Sequence, residues 1–129
     1  MARLADIVID CAAPAALARF WAAVLDGYAV APYNEEELER LRADGIDDPE
    51  DDPTVLLESD EGGPRLWLVK VPEVKTVKNR VHLDLRADDA NAEVARLVSL
   101  GATVAPDQRN EGLVVLLDPQ GNEFCLLRS

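Results

Sequence analysis

The sequence predicts an α+β fold built from two tandem modules, each with the order strand, helix and three strands. The first observation is that period-two alternation followed by a helical apolar stripe occurs near the N-terminus and again in the second half. The second is that residues 17–20 (Leu-Ala-Arg-Phe) align with residues 94–97 (Val-Ala-Arg-Leu). We therefore place module one at about residues 1–71, a linker at 72–79 and module two at about 80–129.

The first module opens with a strand that has two different faces. Residues 4–12 alternate, with Ile7, Ile9 and Cys11 on one side and Asp6, Val8 and Asp10 on the other. Pro14 then predicts the start of a helix, because its missing N–H costs little in the first turn. The helix buries an apolar stripe that includes Trp21 and is predicted to end at Gly27. Strands are predicted after it at residues 28–33, 54–58 and 66–71.

The second module repeats this order. Its first strand, residues 80–87, places His82, Asp84 and Arg86 on one side, where Asp84 and Arg86 either pair with each other or orient a polar ligand. Asp88 or Asp89 is expected to cap the helix that follows, and Gly101 to end it. Strands are predicted at residues 102–105, 113–117 and 123–127, with the turn Asp118-Pro119-Gln120-Gly121 between the last two.

A strongly acidic segment, residues 34–53, interrupts the repeat. It contains ten Asp and Glu against Arg40 and Arg42, which is −8 of the total formal charge of −12. We predict a solvated flap, with a helix at residues 35–43 and a loop at 45–53. The spacing of its carboxylates does not match an EF-hand loop, so the segment does not indicate a calcium site.

The composition limits the classes of function. The negative charge excludes most nucleic-acid roles, because a phosphate backbone needs a basic surface, and it disfavours an anionic membrane. The longest apolar runs have only five or six residues, too short for a transmembrane helix or a secretory signal. The two cysteines, Cys11 and Cys125, are too few for a disulfide framework. We therefore expect a cytoplasmic domain.

Three segments in the same order resemble one known family. They are residues 7–11 followed by 17–21, residues 78–85 (Lys-Asn-Arg-Val-His-Leu-Asp-Leu), and residues 118–124 (Asp-Pro-Gln-Gly-Asn-Glu-Phe). The chain resembles the vicinal-oxygen-chelate superfamily, which includes glyoxalase I, extradiol dioxygenases and bleomycin-resistance proteins, and in particular its glyoxalase-like branch. The resemblance implies that the two modules form a cup-shaped mixed sheet with the helices outside, and that the protein is a homodimer.

The resemblance also implies where a metal would bind in members that use one. Each half supplies a ligand from its first strand and another from its last strand. His82 and Asp6 match the first-strand positions, whereas Cys125 stands where a Glu is usual, with Glu123 two residues earlier on the same face. Trp67 and Val69, on the last strand of the first half, have no ligating atom. We therefore expect no four-ligand site and no cofactor; if a divalent metal binds, His82 and Asp6 are its expected ligands, and a His–Asp–Cys set suits Zn²⁺ with an open position.

These features favour one function and leave two alternatives open. The leading hypothesis is a protein that binds a small organic molecule in the sheet cup without metal chemistry. The first alternative is a divergent metal-dependent lyase, isomerase or dioxygenase-type enzyme, with His82 and Asp6 as catalytic residues. The second is drug binding, as in bleomycin-resistance proteins. The expected ligand-binding residues are Asp10, Trp67, Val69, Asp84, Arg86, Glu123 and Cys125.

Overall fold

Both modules predicted from the sequence are present, and each contains a four-stranded mixed sheet. The computed structural model describes residues 1–106, 108 and 112–128. The chain divides into two units, Met1–Val74 and Lys75–Ser129, and the division falls within the segment predicted as a linker. Three α-helices accompany the two sheets in the described residues, so the predicted α+β fold class with two tandem βαβββ modules is confirmed.

The first module contains four strands, two α-helices and one short 3-10 helix. They are β1 (Asp6–Cys11), α1 (Pro14–Val24), β2 (Tyr28–Val30), α2 (Glu35–Ala43), the 3-10 helix (Pro49–Asp51), β3 (Thr54–Ser59) and β4 (Arg65–Lys70). The strand order in the sheet is β1-β4-β3-β2. The outer strand β1 is parallel to β4, and the other two pairs are antiparallel.

The two faces of this sheet differ in what covers them. Helix α1 lies against β2, β3 and β4, and the apolar core of the module consists of residues such as Leu57, Leu68 and Trp21, each at most 2% exposed. Trp21 therefore belongs to the core, as its position in the helical stripe predicts. The strand register pairs Val8 with Trp67 and Asp10 with Val69. Because directly opposed residues share a face, these side chains lie together on the other face of the sheet.

The second module has the same topology. Its elements are β5 (Asp84–Arg86), α3 (Ala90–Leu100), β6 (Thr103–Val104), β7 (Leu113–Leu117) and β8 (Glu123–Leu127). The strand order is β5-β8-β7-β6, with β5 parallel to β8. Asp89 caps α3 by accepting a hydrogen bond from the backbone N–H of Ala92. The helix ends at Gly101, whose φ of 121° favours glycine.

Several predicted element boundaries are wrong; the strands predicted at residues 28–33 and 102–105, for example, cover only Tyr28–Val30 and Thr103–Val104. The strand predicted at residues 80–87 covers only Asp84–Arg86, because β5 pairs with β8 only from Asp84, opposite Cys125, to Arg86, opposite Leu127. The first helix ends before Gly27, since Leu25 already has extended backbone. Gly27 instead turns the chain into β2 with φ 77°.

The acidic segment is not a fully solvated flap. Helix α2 begins after Asn34, whose side chain accepts a hydrogen bond from the N–H of Glu37. Three of its four glutamates lie in the first turn and its two arginines in the last, which suits the helix dipole. However, Leu41 of α2 and Asp52 are only 2% and 3% exposed. The segment is therefore packed at both of these points.

No helix in the described part of the chain is long and apolar enough to cross a membrane.

Candidate functional site

A cavity of about 640 Å³ lies between the acidic segment and the sheet of the first module; we call it the insert cavity. Leu56 and Trp67 from the sheet contribute its apolar surface, and Tyr33, Arg40 and Asp52 contribute polar groups. Glu37 and Glu58 also line it. The helix of the acidic segment thus forms one wall of a concave, mixed polar and apolar surface, which is the usual form of a small-molecule site.

Asp52 organises the polar wall of this cavity. Its Oδ2 accepts a hydrogen bond from the Tyr33 hydroxyl at 2.7 Å, and its Oδ1 accepts one from the Thr54 N–H at 3.0 Å. Burial, reinforced by the Asp52 carboxylate, raises the pKa of Tyr33 well above its usual range. Arg40 donates to Glu37 at 2.8 Å.

Tyr33 is expected to ionise at a higher pH than an ordinary tyrosine. The chain has two tyrosines, so the ultraviolet absorbance of tyrosinate during an alkaline titration reports both. The component that is absent from the Tyr33→Phe protein is the one that belongs to Tyr33. We expect the Tyr33→Phe protein to lose the late-titrating component, because burial and Asp52 disfavour the phenolate. Loss of a component that titrates at about pH 10, the ordinary value for tyrosine, contradicts this assignment.

Asp6 lies beside Trp67 and is held by Arg65. The Arg65 guanidinium donates to both carboxylate oxygens of Asp6, at 2.8 and 3.0 Å, and the Trp67 indole N–H donates at 3.2 Å. The Arg65 hydrogen bonds outweigh partial burial and lower the pKa of Asp6. Arg65 also lies 5.7 Å from the centre of the Trp67 ring. Asp6 is therefore an ionised carboxylate whose two oxygens are engaged, and a metal bound there has to displace Arg65.

The second module brings His82, Asp84 and Cys125 together. His82 Nδ1 lies 3.1 Å from Asp84 Oδ1 and 3.8 Å from Cys125 Sγ, and the three donor atoms all lie within 4.8 Å of one another. Burial and Asp84 raise the pKa of the Cys125 thiol, and Lys78 lowers it by less. The Asp84 carboxylate therefore contacts His82, which lies two residues earlier in the chain. Both Asp84 and Arg86 are exposed.

Glu123 fixes the segment that leads into this cluster. It accepts hydrogen bonds from Lys75 Nζ at 3.0 Å and from the Asn79 N–H at 2.8 Å, and Lys75 also donates to the Val77 carbonyl. Burial opposes ionisation of Glu123, but the hydrogen bonds from Asn79 and Lys75 outweigh it and lower its pKa. Glu123 therefore links residues 75–79 to β8.

The site residues predicted from the sequence fall into two groups. In the first module, Asp6 and Trp67 are in contact, and Asp10 and Val69 are opposed on the same sheet face. In the second module, the group consists of His82, Asp84 and Cys125, with Glu123 and Arg86 on the same two strands. Their catalytic and binding roles stay predictions.

The sequence interpretation missed the residues that the acidic segment adds. Tyr33, Glu37, Arg40 and Asp52 line the insert cavity, although the density of charge indicated a solvated flap. The signal that identifies a packed helix here is the apolar pair at Leu38 and Leu41 within the run of acids, since residues three apart share a helix face.

The four-ligand metal set implied by the family resemblance does not fit these residues. Asp6 is engaged by Arg65 and Trp67, and neither Trp67 nor Val69 carries a ligating atom. On the second module, His82 and Cys125 carry donor atoms and Asp84 adds a third. Among the residues that the structure describes, the donors that lie together are therefore one nitrogen, one carboxylate and one sulfur of the second module.

The sequence matches a family described as "Glyoxalase-like domain" over residues 6–127. No protein with a curated description matches it significantly.

Solved structures resemble the chain at low sequence identity. A glyoxalase/bleomycin resistance protein/dioxygenase family enzyme from Burkholderia phytofirmans PsJN is 19% identical, with 97% of each chain covered and a TM-score of 0.65. The fosfomycin resistance protein FosX from Mesorhizobium loti is 14% identical over 100% of this chain and 93% of that chain, with a TM-score of 0.65. A FosX mutant from Listeria monocytogenes, complexed with Mn(II) and dihydroxypropylphosphonic acid, is 10% identical over 100% and 91%, with a TM-score of 0.66. These likenesses show a common fold.

Proposed function

Because the chain belongs to the glyoxalase-like domain family of the vicinal-oxygen-chelate superfamily, we propose that it binds a small organic molecule, and that the insert cavity is the binding site. The observation that carries this proposal is the cavity itself. Its volume of about 640 Å³ is within the range of roughly 300–1,000 Å³ that small-molecule sites occupy. It combines an indole and an aliphatic surface with a few polar groups, the combination that binds and orients a ligand.

The charge of the cavity favours a planar ligand that is cationic or rich in hydrogen-bond donors. The carboxylates of Glu37, Asp52 and Glu58 line it against the single guanidinium of Arg40, and Glu37 already pairs with that guanidinium. The excess of carboxylates attracts a positive charge. Trp67 supplies a partly exposed aromatic ring on which a flat cation can stack.

The same charge argues against a phosphonate ligand. The Listeria monocytogenes FosX mutant is complexed with a phosphonic acid, which is an anion at neutral pH. An anion entering the insert cavity meets three carboxylates and one paired arginine. We therefore favour the drug-binding alternative for a cationic aromatic compound over a FosX-like activity on a phosphonate.

A comparison of two dyes of opposite charge tests the proposal. Proflavine is the cationic probe and anilinonaphthalene sulfonate the anionic one, and equilibrium fluorescence titration gives the affinity of each. We expect proflavine to bind more tightly, and Trp67→Ala to weaken it by about tenfold, equivalent to ~1.4 kcal/mol. Glu58→Gln is expected to weaken proflavine binding about threefold, because it removes one lining carboxylate.

Glu39→Gln is the matched control, because it makes the same charge change on α2 at an exposed position. It is expected to bind proflavine with the affinity of the original protein. Tighter binding of the anionic dye contradicts the proposed ligand class. Equal proflavine binding by the Trp67→Ala protein contradicts the proposed site.

The homodimer and the cytoplasmic location stay predictions from the sequence and the family resemblance. Several apolar side chains are exposed in the single chain, Val8, Val77 and Val81 among them, and a second copy covering such residues is one way to remove them from water. Sedimentation equilibrium of the purified protein measures the oligomeric state, and a monomer across the accessible concentration range overturns the prediction of a dimer.

A further inference from the structure

We propose that the second module carries a self-contained metal site, in which His82, Asp84 and Cys125 bind a divalent ion of the zinc class and leave one coordination position open. This inference goes beyond the proposed ligand binding and does not rest on it, because all three donors belong to the other module. It also replaces the family's four-ligand set, which is shared between the modules, with a set that includes Asp84 and needs no residue of the first module.

The backbone fixes the three side chains on one face. Asp84 and Cys125 are register partners in the parallel pair of β5 and β8, so they lie side by side. The Cys125 N–H donates to the carbonyl of Leu83 at 2.8 Å, which holds the residue between His82 and Asp84 against β8. His82 lies two residues before Asp84 in extended chain, so the two side chains are on the same face.

The distances agree with tetrahedral coordination. Ordinary zinc bond lengths place a ligating nitrogen about 3.4 Å from a ligating carboxylate oxygen and about 3.6 Å from a ligating sulfur. The corresponding distances from His82 Nδ1 are 3.1 Å to Asp84 Oδ1 and 3.8 Å to Cys125 Sγ. The third distance, from the Asp84 carboxylate oxygen to Cys125 Sγ, is at most 4.8 Å. Rotation of the exposed carboxylate of Asp84 is enough to adjust it.

The donor types select the class of ion. Imidazole and thiolate favour Zn²⁺ and its neighbours Co²⁺ and Cd²⁺, whereas Mg²⁺ and Mn²⁺ prefer sites made of oxygen. We therefore expect a preference for zinc over manganese. The side chains of His82 and Asp84 are 39% and 45% exposed, while Cys125 is 5% exposed. The sulfur is thus the inner ligand, and the open position faces solvent, as in zinc sites that bind water or substrate.

A simple ion pair between His82 and Asp84 explains only part of this geometry. It accounts for the contact at 3.1 Å, and exposed ion pairs of this kind contribute little to stability. It does not require a thiol at 3.8 Å from the same ring nitrogen. The test that distinguishes the two explanations is whether the sulfur binds the ion.

Cobalt(II) is the probe, because its bond to a thiolate gives a charge-transfer absorption that a site made only of nitrogen and oxygen lacks. We expect the full-length protein to bind about one Co²⁺ per chain with this absorption, and Zn²⁺ to displace it. Cys125→Ser is expected to remove the charge-transfer band. His82→Ala and Asp84→Asn are each expected to weaken binding by about a hundredfold or more, since even outer-shell partners contribute 10–100-fold.

Cys11→Ser is the matched control, because it removes the buried thiol of the first module. It is expected to keep the band and the affinity. His82 is exposed, so its loss does not threaten folding, and circular dichroism checks the Cys125→Ser protein. The inference is overturned if the unaltered protein retains no Co²⁺, if bound Co²⁺ shows no thiolate band, or if the band survives in Cys125→Ser. Proflavine titration of the same Cys125→Ser protein tests the proposed ligand binding independently of the metal site.

Discussion

Replacing Asp118 by Ala is expected to lower the free energy of unfolding by about 3 kcal/mol. Asp118 is only 3% exposed, and its Oδ1 accepts hydrogen bonds from the backbone N–H groups of Gln120 and Asn122, at 2.9 and 3.0 Å. The Asn122 side chain donates to Oδ2 at 3.1 Å. The substitution removes the acceptor of these three hydrogen bonds, and one such bond contributes about 0.5–1.5 kcal/mol, or more when its acceptor is charged.

Asp118→Asn is the control for this prediction. It keeps an oxygen that accepts from the two backbone N–H groups and changes only the partner of Asn122, so we expect a loss of about 1 kcal/mol. Chemical denaturation followed by far-ultraviolet circular dichroism measures both variants. Equal stability of the Asp118→Ala and original proteins is incompatible with the role of this carboxylate in the turn between β7 and β8.

Asp52→Ala is expected to cost about 2 kcal/mol and to weaken proflavine binding. Asp52 is as deeply buried as Asp118, but it accepts two hydrogen bonds, from Tyr33 and from the N–H of Thr54. Its removal also takes one carboxylate from the insert cavity. Both tryptophans of the chain lie in the first module, so tryptophan fluorescence during denaturation measures the loss in the module that contains Asp52.

Two further variants make this prediction specific. Asp51→Ala removes the same charge one residue earlier, where the side chain is exposed, and is expected to change stability by no more than about 0.5 kcal/mol. A double-mutant cycle with Tyr33→Phe and Asp52→Ala isolates the energy of the hydrogen bond between them, which we expect to be about 1–2 kcal/mol. No coupling between the two residues contradicts the contact at 2.7 Å.

Local signals predicted the elements that depend on local interactions. Helix α2 spans Glu35–Ala43, the range predicted for it within the acidic segment. Strands β7 and β8 span Leu113–Leu117 and Glu123–Leu127 because the turn residues between them define both ends. In contrast, the extent of β5 depends on its pairing with β8, about 40 residues later in the chain. Its alternation alone predicted a strand that is too long.

The sequence predicted which candidate site residues share one face of a strand, but not which of them are in contact. Alternation along the strands indicates that His82 and Asp84 share a side, and the contact of both with Cys125 depends on the register of β5 against β8. Similarly, nothing near Asp6 in the sequence indicates that Arg65 will neutralise it. That pairing follows from the parallel register of β1 and β4, which places the two residues opposite each other.

The parallel pairing of first and last strands also has a consequence for how the chain acquires its structure. In the first module, β1 pairs only with β4, so the N-terminal strand stays without a partner until residues 65–70 have been synthesised. Such pairings between distant residues slow folding. The connection between β2 and β3, residues 31–53, is nearly three times as long as the corresponding residues 105–112, yet a longer loop costs only about 1 kcal/mol of closure entropy. The acidic segment therefore adds one wall of the insert cavity with little penalty in stability, and the N-terminal module is the one that we expect to wait longer for its final strand during translation.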